Sequence, residues 1–333
     1  MTDASLTVSV TSRIRPTAAA LGWLVVGTII VVDLIGLPLA GISVNWSSMK
    51  DPALFVGLLL LYGLALGQLR RRVERFRRLR SVIVFIDDFC LSAAQLSAFS
   101  IASAPLTYIL ARAGLPLIDR QLGMVDHFLQ FDWSVTRDWV VQHPAIHELL
   151  RWAYLTHINQ CWILIILGSL WFPGRRNAEL IWGFMLILLI CCAVSAVLPA
   201  LSLGGDASAY LPILKSLRAG EPMVLDWNRL EGIVSFPSFH AALAILYIYA
   251  ARHRLWALIP FAALDTLMLI STPPIGGHYL TDVLGGIAVA LIAIGVTRWV
   301  QPPSPSASDS RLAFPPAAVV SVEITRSTAK RAR

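Results

Sequence analysis

Residues 279–299 read YLTDVLGGIAVALIAIGVTRW, an apolar stretch whose only charges are Asp282 near its start and Arg298 near its end. A helix needs about 20 mostly apolar residues to cross a bilayer, because lipid gives backbone polar groups no partners outside the helix. Working outward, comparable blocks occupy roughly 18–42, 52–69, 81–106, 145–171, 178–202, 237–252 and 255–272. The pattern predicts an all-α, polytopic membrane helix bundle of about eight transmembrane helices. Composition agrees: 56% of the 333 residues are hydrophobic and 14% charged, against about a quarter charged in a soluble domain. A secreted disulfide scaffold, a disordered chain and an ordinary cytosolic enzyme are excluded.

The cysteines add little chemistry. Cys90, Cys161, Cys191 and Cys192 all fall in apolar blocks, with no Cys-x-x-Cys spacing in a loop, so they read as small buried hydrophobes. The first apolar run is longer than the 7–15 residues of a cleavable signal segment and is expected to stay as a membrane helix. The stretch 301–333, rich in Pro, Ser and Ala, is expected to be a disordered cytoplasmic tail.

The formal charge of +7 speaks of orientation rather than of nucleic acid. With the N-terminus inside, the inner segments hold Arg13 and Arg15, then Arg70, Arg71, Arg72, Arg75, Arg77, Arg78 and Arg80. Arg175, Arg176, Arg252 and Arg254 follow on the same side, with the basic tail. Every short inner loop carries at least two arginines, as the positive-inside rule asks. Both termini are then cytoplasmic. The stretch 115–144 is too polar to span; its apolar residues recur at helical spacing beside acids, as in helices lying at the outer surface or packing on the bundle.

Two of the blocks open on histidines. One begins Ser235-Phe236-Pro237-Ser238-Phe239-His240, with a proline suited to a first helical turn and serines able to cap free N–H groups. The other begins Pro273-Pro274-Ile275-Gly276-Gly277-His278-Tyr279-Leu280-Thr281-Asp282, where glycines let backbone approach a ligand. One span separates the two, so both helix mouths face the same, outer, side. Helix N-termini suit an anionic group such as phosphate. His278 and Asp282, four apart, share a helical face. A carboxylate holding one imidazole nitrogen leaves the other as an oriented nucleophile, and His240 suits a general acid. Other readings of the trio are polar residues at the interface and a set of metal ligands.

These residues resemble the type 2 phosphatidic acid phosphatase, or PAP2, superfamily, and most closely its inositol phosphorylceramide synthase (inositolphosphotransferase) branch. Pro237-Ser238-Phe239-His240 is similar to the family's Pro-Ser-Gly-His signature, and Gly277 to Asp282 is similar to the signature with the His-x-x-x-Asp core. The resemblance covers roughly 81–300 as a six-helix catalytic core, with 1–80 as two extra helices and an Arg-rich cytoplasmic loop. It implies a metal-independent reaction without cofactors, in which His278 attacks phosphorus and forms a phosphohistidine, Asp282 orients it, and His240 protonates the leaving alkoxide. Water as acceptor makes a phosphatase, an alcohol a phosphotransferase.

The sequence departs from the family twice. Ser271-Thr272 stands where an arginine often lies six residues before the histidine, and the Lys-x6-Arg-Pro motif is absent. Phosphate-binding candidates are therefore sought in the outer loop 203–234, where Arg218 is preferred because arginine grips phosphate oxygens bidentately. Lys215 and Arg229 follow, with Ser238 and Gly277 beside the histidines. Of the acids in or near the spans, Asp87 and Asp88 are expected to pair with the inner arginines by snorkelling, and Asp33 and Asp265 stand as costly intramembrane charges. Thr156, His157, Asn159 and Gln160 are expected to bond between helices. The expected protein is an integral enzyme of a bacterial cytoplasmic membrane, acting at the outer face on a lipid or polyprenyl phosphate. Its partners are the bilayer and that substrate, with no nucleic acid. A transporter using the intramembrane acids, or a non-catalytic relative, is the alternative.

Overall fold

A computed structural model describes residues 18–72, 77–171, 175–204, 210–230 and 232–300. The expected tail at 301–333 and the arginines Arg13, Arg15 and Arg75 lie outside the described residues. Helix α1 (Ala18–Leu39) leads through a short strand β1 (Ile42–Val44) and a tight turn to α2 (Lys50–Arg72). The long α3 (Arg77–Arg112) precedes two amphipathic helices, α4 (Asp119–Phe128) and α5 (Trp133–Val141). Then come α6 (Pro144–Leu155), α7 (His157–Trp171), α8 (Arg175–Val197), α9 (Tyr210–Arg218), strand β2 (Met223–Leu225), α10 (Phe239–Ala251), α11 (Leu255–Gly276) and α12 (Leu280–Val300). The protein is an all-α polytopic helix bundle.

Among the described residues six helices are long and apolar enough to cross a membrane: α1, α2, α3, α8, α11 and α12. Two of the expected spans differ in form. The block 145–171 is a bent pair, α6 and α7, meeting at 48°, with Thr156 at the break, its hydroxyl donating to the Ala153 carbonyl (2.7 Å). The block 237–252 gives α10, of only 13 residues. At 1.5 Å per residue that is about 20 Å, shorter than a hydrocarbon core of about 30 Å.

The main core joins α1, α3, α7, α8, α10, α11 and α12 around Phe99, Ile165, Met185, Leu243, Tyr247 and Met268, all fully buried. The four cysteines are buried and unpaired by disulfides. At one end Glu179 of α8 accepts from Arg176 (3.1 Å) and from Arg252 (2.7 Å), tying α8 to the end of α10. Asp87 pairs with Arg70 at 3.8 Å, as expected of it. Asp88 accepts from Asn177 of α8 at 2.8 Å.

At the other end β1 and β2 pair in parallel, Ile42 with Met223 and Val44 with Leu225. Asn45 donates to Asp226 (3.1 Å) and the Trp227 N–H to Ser48 Oγ (3.0 Å). Asp226 also caps the turn at Asn228, and the Asn228 N–H and Asn45 amide hold its carboxyl below the usual carboxylate range. Beneath this pair a second apolar cluster gathers Leu37, Ile42, Tyr108, Leu217 and Leu225. The extra N-terminal helices are thus fastened to the loop that leads into the His240 stretch. Helices α4 and α5 both pack and face outward: α4 buries Leu122 and Asp126 while Met124 and Phe128 stay exposed.

Candidate active site

Gly277 ends α11 in the left-handed conformation (φ 72°), its N–H donating to the Pro273 carbonyl at 3.0 Å. Glycine takes that conformation at no steric cost. The turn delivers His278 to the start of α12, where the ring is buried. Its Nδ1 lies 3.1 Å from Asp282 Oδ2, and the Tyr279 N–H donates to the same oxygen at 3.1 Å. One carboxylate in the first turn therefore fixes both the ring and the backbone that carries it. The strap after α8 holds the turn from the far side: the Ser202 hydroxyl (2.8 Å) and the Leu203 N–H (2.7 Å) both donate to the Gly277 carbonyl.

The mouth of α12 is closed by a second carboxylate. Asp126, buried on α4, accepts from the Leu280 N–H (2.8 Å), the Thr281 N–H (2.9 Å) and the Thr281 hydroxyl (2.6 Å). Asp119, at the start of the same helix, accepts from the Leu201 N–H at 3.0 Å and from the Tyr279 hydroxyl at 3.4 Å. The sequence-based expectation that both helix mouths would offer N–H groups to an anion therefore changes. Those of α12 are taken by the protein's own acids.

The mouth of α10 is different. Ser238 is its N-cap, accepting from the Ala241 N–H, which leaves the first-turn N–H groups of Phe239 and His240 to be met from outside the helix. The Ser238 N–H donates to the Asp282 carbonyl at 3.0 Å, so the two mouths are joined directly. Adjacent glycines on α12 make the approach possible. A Cβ on Gly286 would collide with the Ser238 carbonyl, and one on Gly285 would sit 3.1 Å from Phe236 and Pro237.

His240 is positioned by residues around the α6–α7 bend. The Tyr154 hydroxyl lies 3.2 Å from His240 Nδ1, and the two rings stack with centroids 4.1 Å apart. His157 meets His240 edge-on at 4.4 Å. Tyr154 also reaches the His278 side: a Cβ on Gly276 would lie 2.8 Å from the Tyr154 hydroxyl and 2.9 Å from His278 Cδ2. Both histidines thus border the same tyrosine. His240 Nε2 is buried with no hydrogen-bond partner among the described residues, as is Asp282 Oδ1.

A family model described as the PAP2 superfamily matches residues 120–296, more than half of the chain. The chain belongs to the PAP2 superfamily. The match begins at α4, so α1, α2 and α3 lie outside it. No curated protein and no solved structure matches the chain.

Of the expected site residues, His240, His278, Asp282, Ser238 and Gly277 come together around the two helix mouths. Of the three cations, Lys215 and Arg218 sit on the last turn of α9 and Arg229 in the turn after β2. Arg218 donates to the Leu115 carbonyl at 2.6 Å, while Lys215 and Arg229 are exposed. Ser271 and Thr272, where a family arginine often stands, are buried and donate to the Met268 carbonyl within their own helix. Among the described residues no three His, Cys, Asp or Glu side chains are grouped to hold a metal ion.

The sequence reading missed Asp126, Tyr154 and the site role of His157. His157 was expected to bond between helices; it lies against His240. The one sequence signal for the pair was their position beside Thr156, in a polar interruption of an apolar block. Asp126 carried none beyond being an acid in an amphipathic stretch.

Proposed function

We propose that this PAP2-superfamily protein is a lipid-phosphate phosphatase or phosphotransferase that works through a phosphohistidine on His278. The observation that carries the reading is the convergence of the His278–Asp282 pair with His240 around Tyr154. With its Nδ1–H held by Asp282, His278 keeps a lone pair on Nε2 for attack on phosphorus. The P–O bond to the lipid alcohol breaks as the N–P bond forms, and the leaving alkoxide takes a proton from His240 Nε2. A tyrosine hydroxyl both donates and accepts, so Tyr154 serves either protonation state of His240 Nδ1. Water, or an alcohol in the inositolphosphotransferase manner, then gives its proton to His240 and attacks the phosphohistidine, freeing His278.

The first-turn N–H groups of α10 are the donors we assign to the phosphate oxygens, with Ser238 and Gly277 lining the approach and Arg218, Lys215 and Arg229 as cations of the same outer loop. The arginine distribution argues that the site faces outward from a bacterial cytoplasmic membrane with both termini inside. The shortness of α10 recesses His240 from the surface, which suits a substrate whose alkyl chain remains in lipid.

The test is to quench turnover of a radiolabelled lipid phosphate and look for acid-labile, base-stable label on the protein. Label on wild type and none on His278→Ala is expected. Label that persists in the variant overturns the assignment. The transporter alternative draws on Asp265, buried beside Gln160. It requires ion-dependent flux lost in Asp265→Asn and kept in His278→Ala.

A further inference from the structure

Helices α2 and α3 lie outside the family match, and α2 leaves most of its surface uncovered by protein. They pack closely where α2 carries glycine: a Cβ on Gly63 would lie 2.7 Å from a Leu91 methyl. One turn on, Gly67 leaves ordinary spacing, with Asp87 Oδ1 3.5 Å from where its Cβ would be. Beyond it the helices part around a cavity of about 410 Å³, lined by Gln68 and Arg70 of α2 and by Arg80 and Asp87 of α3. The cavity is near the start of α3, whereas the histidine site is reached from the other end of that helix.

The lining has an unusual balance. The Asp87 side chain is only 12% exposed, and Arg70 Nη1 stands 3.8 Å from its Oδ2. Asp87 Oδ1 is buried with no partner among the described residues. The arginines are outward: the Arg70 side chain is 47% exposed and Arg80 is exposed too. Two arginines lining one gap between helices suit an anion such as a phosphodiester. Asp87 and Gln68, lining the same gap, add acceptors suited to a hydroxyl. Leu54, Leu58 and Leu61 are exposed along α2 before the cavity, an apolar surface suited to acyl chains. Basic pockets between membrane helices are a known form of headgroup site.

We propose that the α2–α3 cavity binds an anionic phospholipid with a hydroxylated headgroup, of the phosphatidylglycerol kind. The phosphodiester sits by Arg70 and Arg80, and a headgroup hydroxyl donates to the Asp87 carboxylate. This does not rest on the catalytic reading, since no residue of the histidine site takes part.

The experiment uses the full-length protein purified in detergent and titrated with dioleoylphosphatidylglycerol or dioleoylphosphatidylcholine, with bound lipid counted by native mass spectrometry. Wild type is expected to retain phosphatidylglycerol at least tenfold better than phosphatidylcholine. Arg70→Gln with Arg80→Gln should remove that preference, and Asp87→Leu, which deletes the acceptor, should weaken it severalfold. Arg72→Gln, an exposed arginine of the same cluster outside the cavity, should leave it intact. If the double variant fails to fold, Arg80→Gln alone carries the same comparison. Equal retention by the Arg70/Arg80 variants, or equal loss in Arg72→Gln, overturns the proposal, the second showing only diffuse attraction to basic residues. Soluble glycerol 3-phosphate should not compete; competition at the lipid's own concentration would overturn the lipid assignment in favour of a free phosphoester.

Discussion

The mouths of α10 and α12 look alike in sequence and are built for opposite ends. Each opens after proline or glycine and carries a histidine at the first turn. At α12 the N–H groups of Tyr279, Leu280 and Thr281 are spent on Asp282 and Asp126. At α10 a neutral serine meets one N–H, and no carboxylate is close in sequence. A helix N-terminus favours negative charge, and a carboxylate already placed there both satisfies the donors and repels an incoming anion. On the proposed reading the α12 mouth fixes the nucleophile and the α10 mouth is left to receive phosphate.

The largest expected effect breaks the comparison on chemistry. His278→Ala should lower turnover on the order of 10⁴-fold or more whatever the leaving group, since the covalent step goes with it. His240→Ala should cost about 10²–10⁴-fold on an alkyl phosphate but far less on an aryl phosphate whose phenolate leaves without a proton. Assaying both variants on both esters checks this; equal sensitivity of the two variants to the leaving group would erase the distinction between acid and nucleophile.

A middle-sized effect tests the closed mouth. Asp126→Ala orphans the Leu280 and Thr281 N–H groups together with the Thr281 hydroxyl, a loss of about 3 kcal/mol. A lower melting temperature is expected along with reduced turnover, because His278 and Asp282 hang on that turn. Thermal unfolding of the purified variant in detergent decides it, and an unchanged midpoint would show that α12 holds its shape without Asp126. The smallest effect belongs to the open mouth: Ser238→Ala removes a single cap and should cost about 1 kcal/mol, read on the same melting curve.

Much of the site was legible because its central pair is local. His278 and Asp282 are four residues apart, and once 279–299 is read as a helix the ring and carboxylate have to be neighbours. The order of the spans then puts His240 at the same end of the bundle. Asp126 and Tyr154 were not legible for the converse reason. Their partners lie 154 and 86 residues away in the chain, and periodicity says only which residues face inward, not what they meet. The broken span is a different case: 145–171 is apolar enough throughout, and periodicity alone does not locate the 48° bend at Thr156.

By itself, then, the sequence determined what the solvent and the backbone dictate. Long apolar runs must be helices in lipid, arginine-rich loops bias their orientation, and residues four apart on a helix share a face. Tertiary structure decided which helix mouth is filled and which is free. That depends on a carboxylate from α4 reaching α12 and on glycines at 285 and 286 admitting α10, which are meetings of distant segments that only packing brings about.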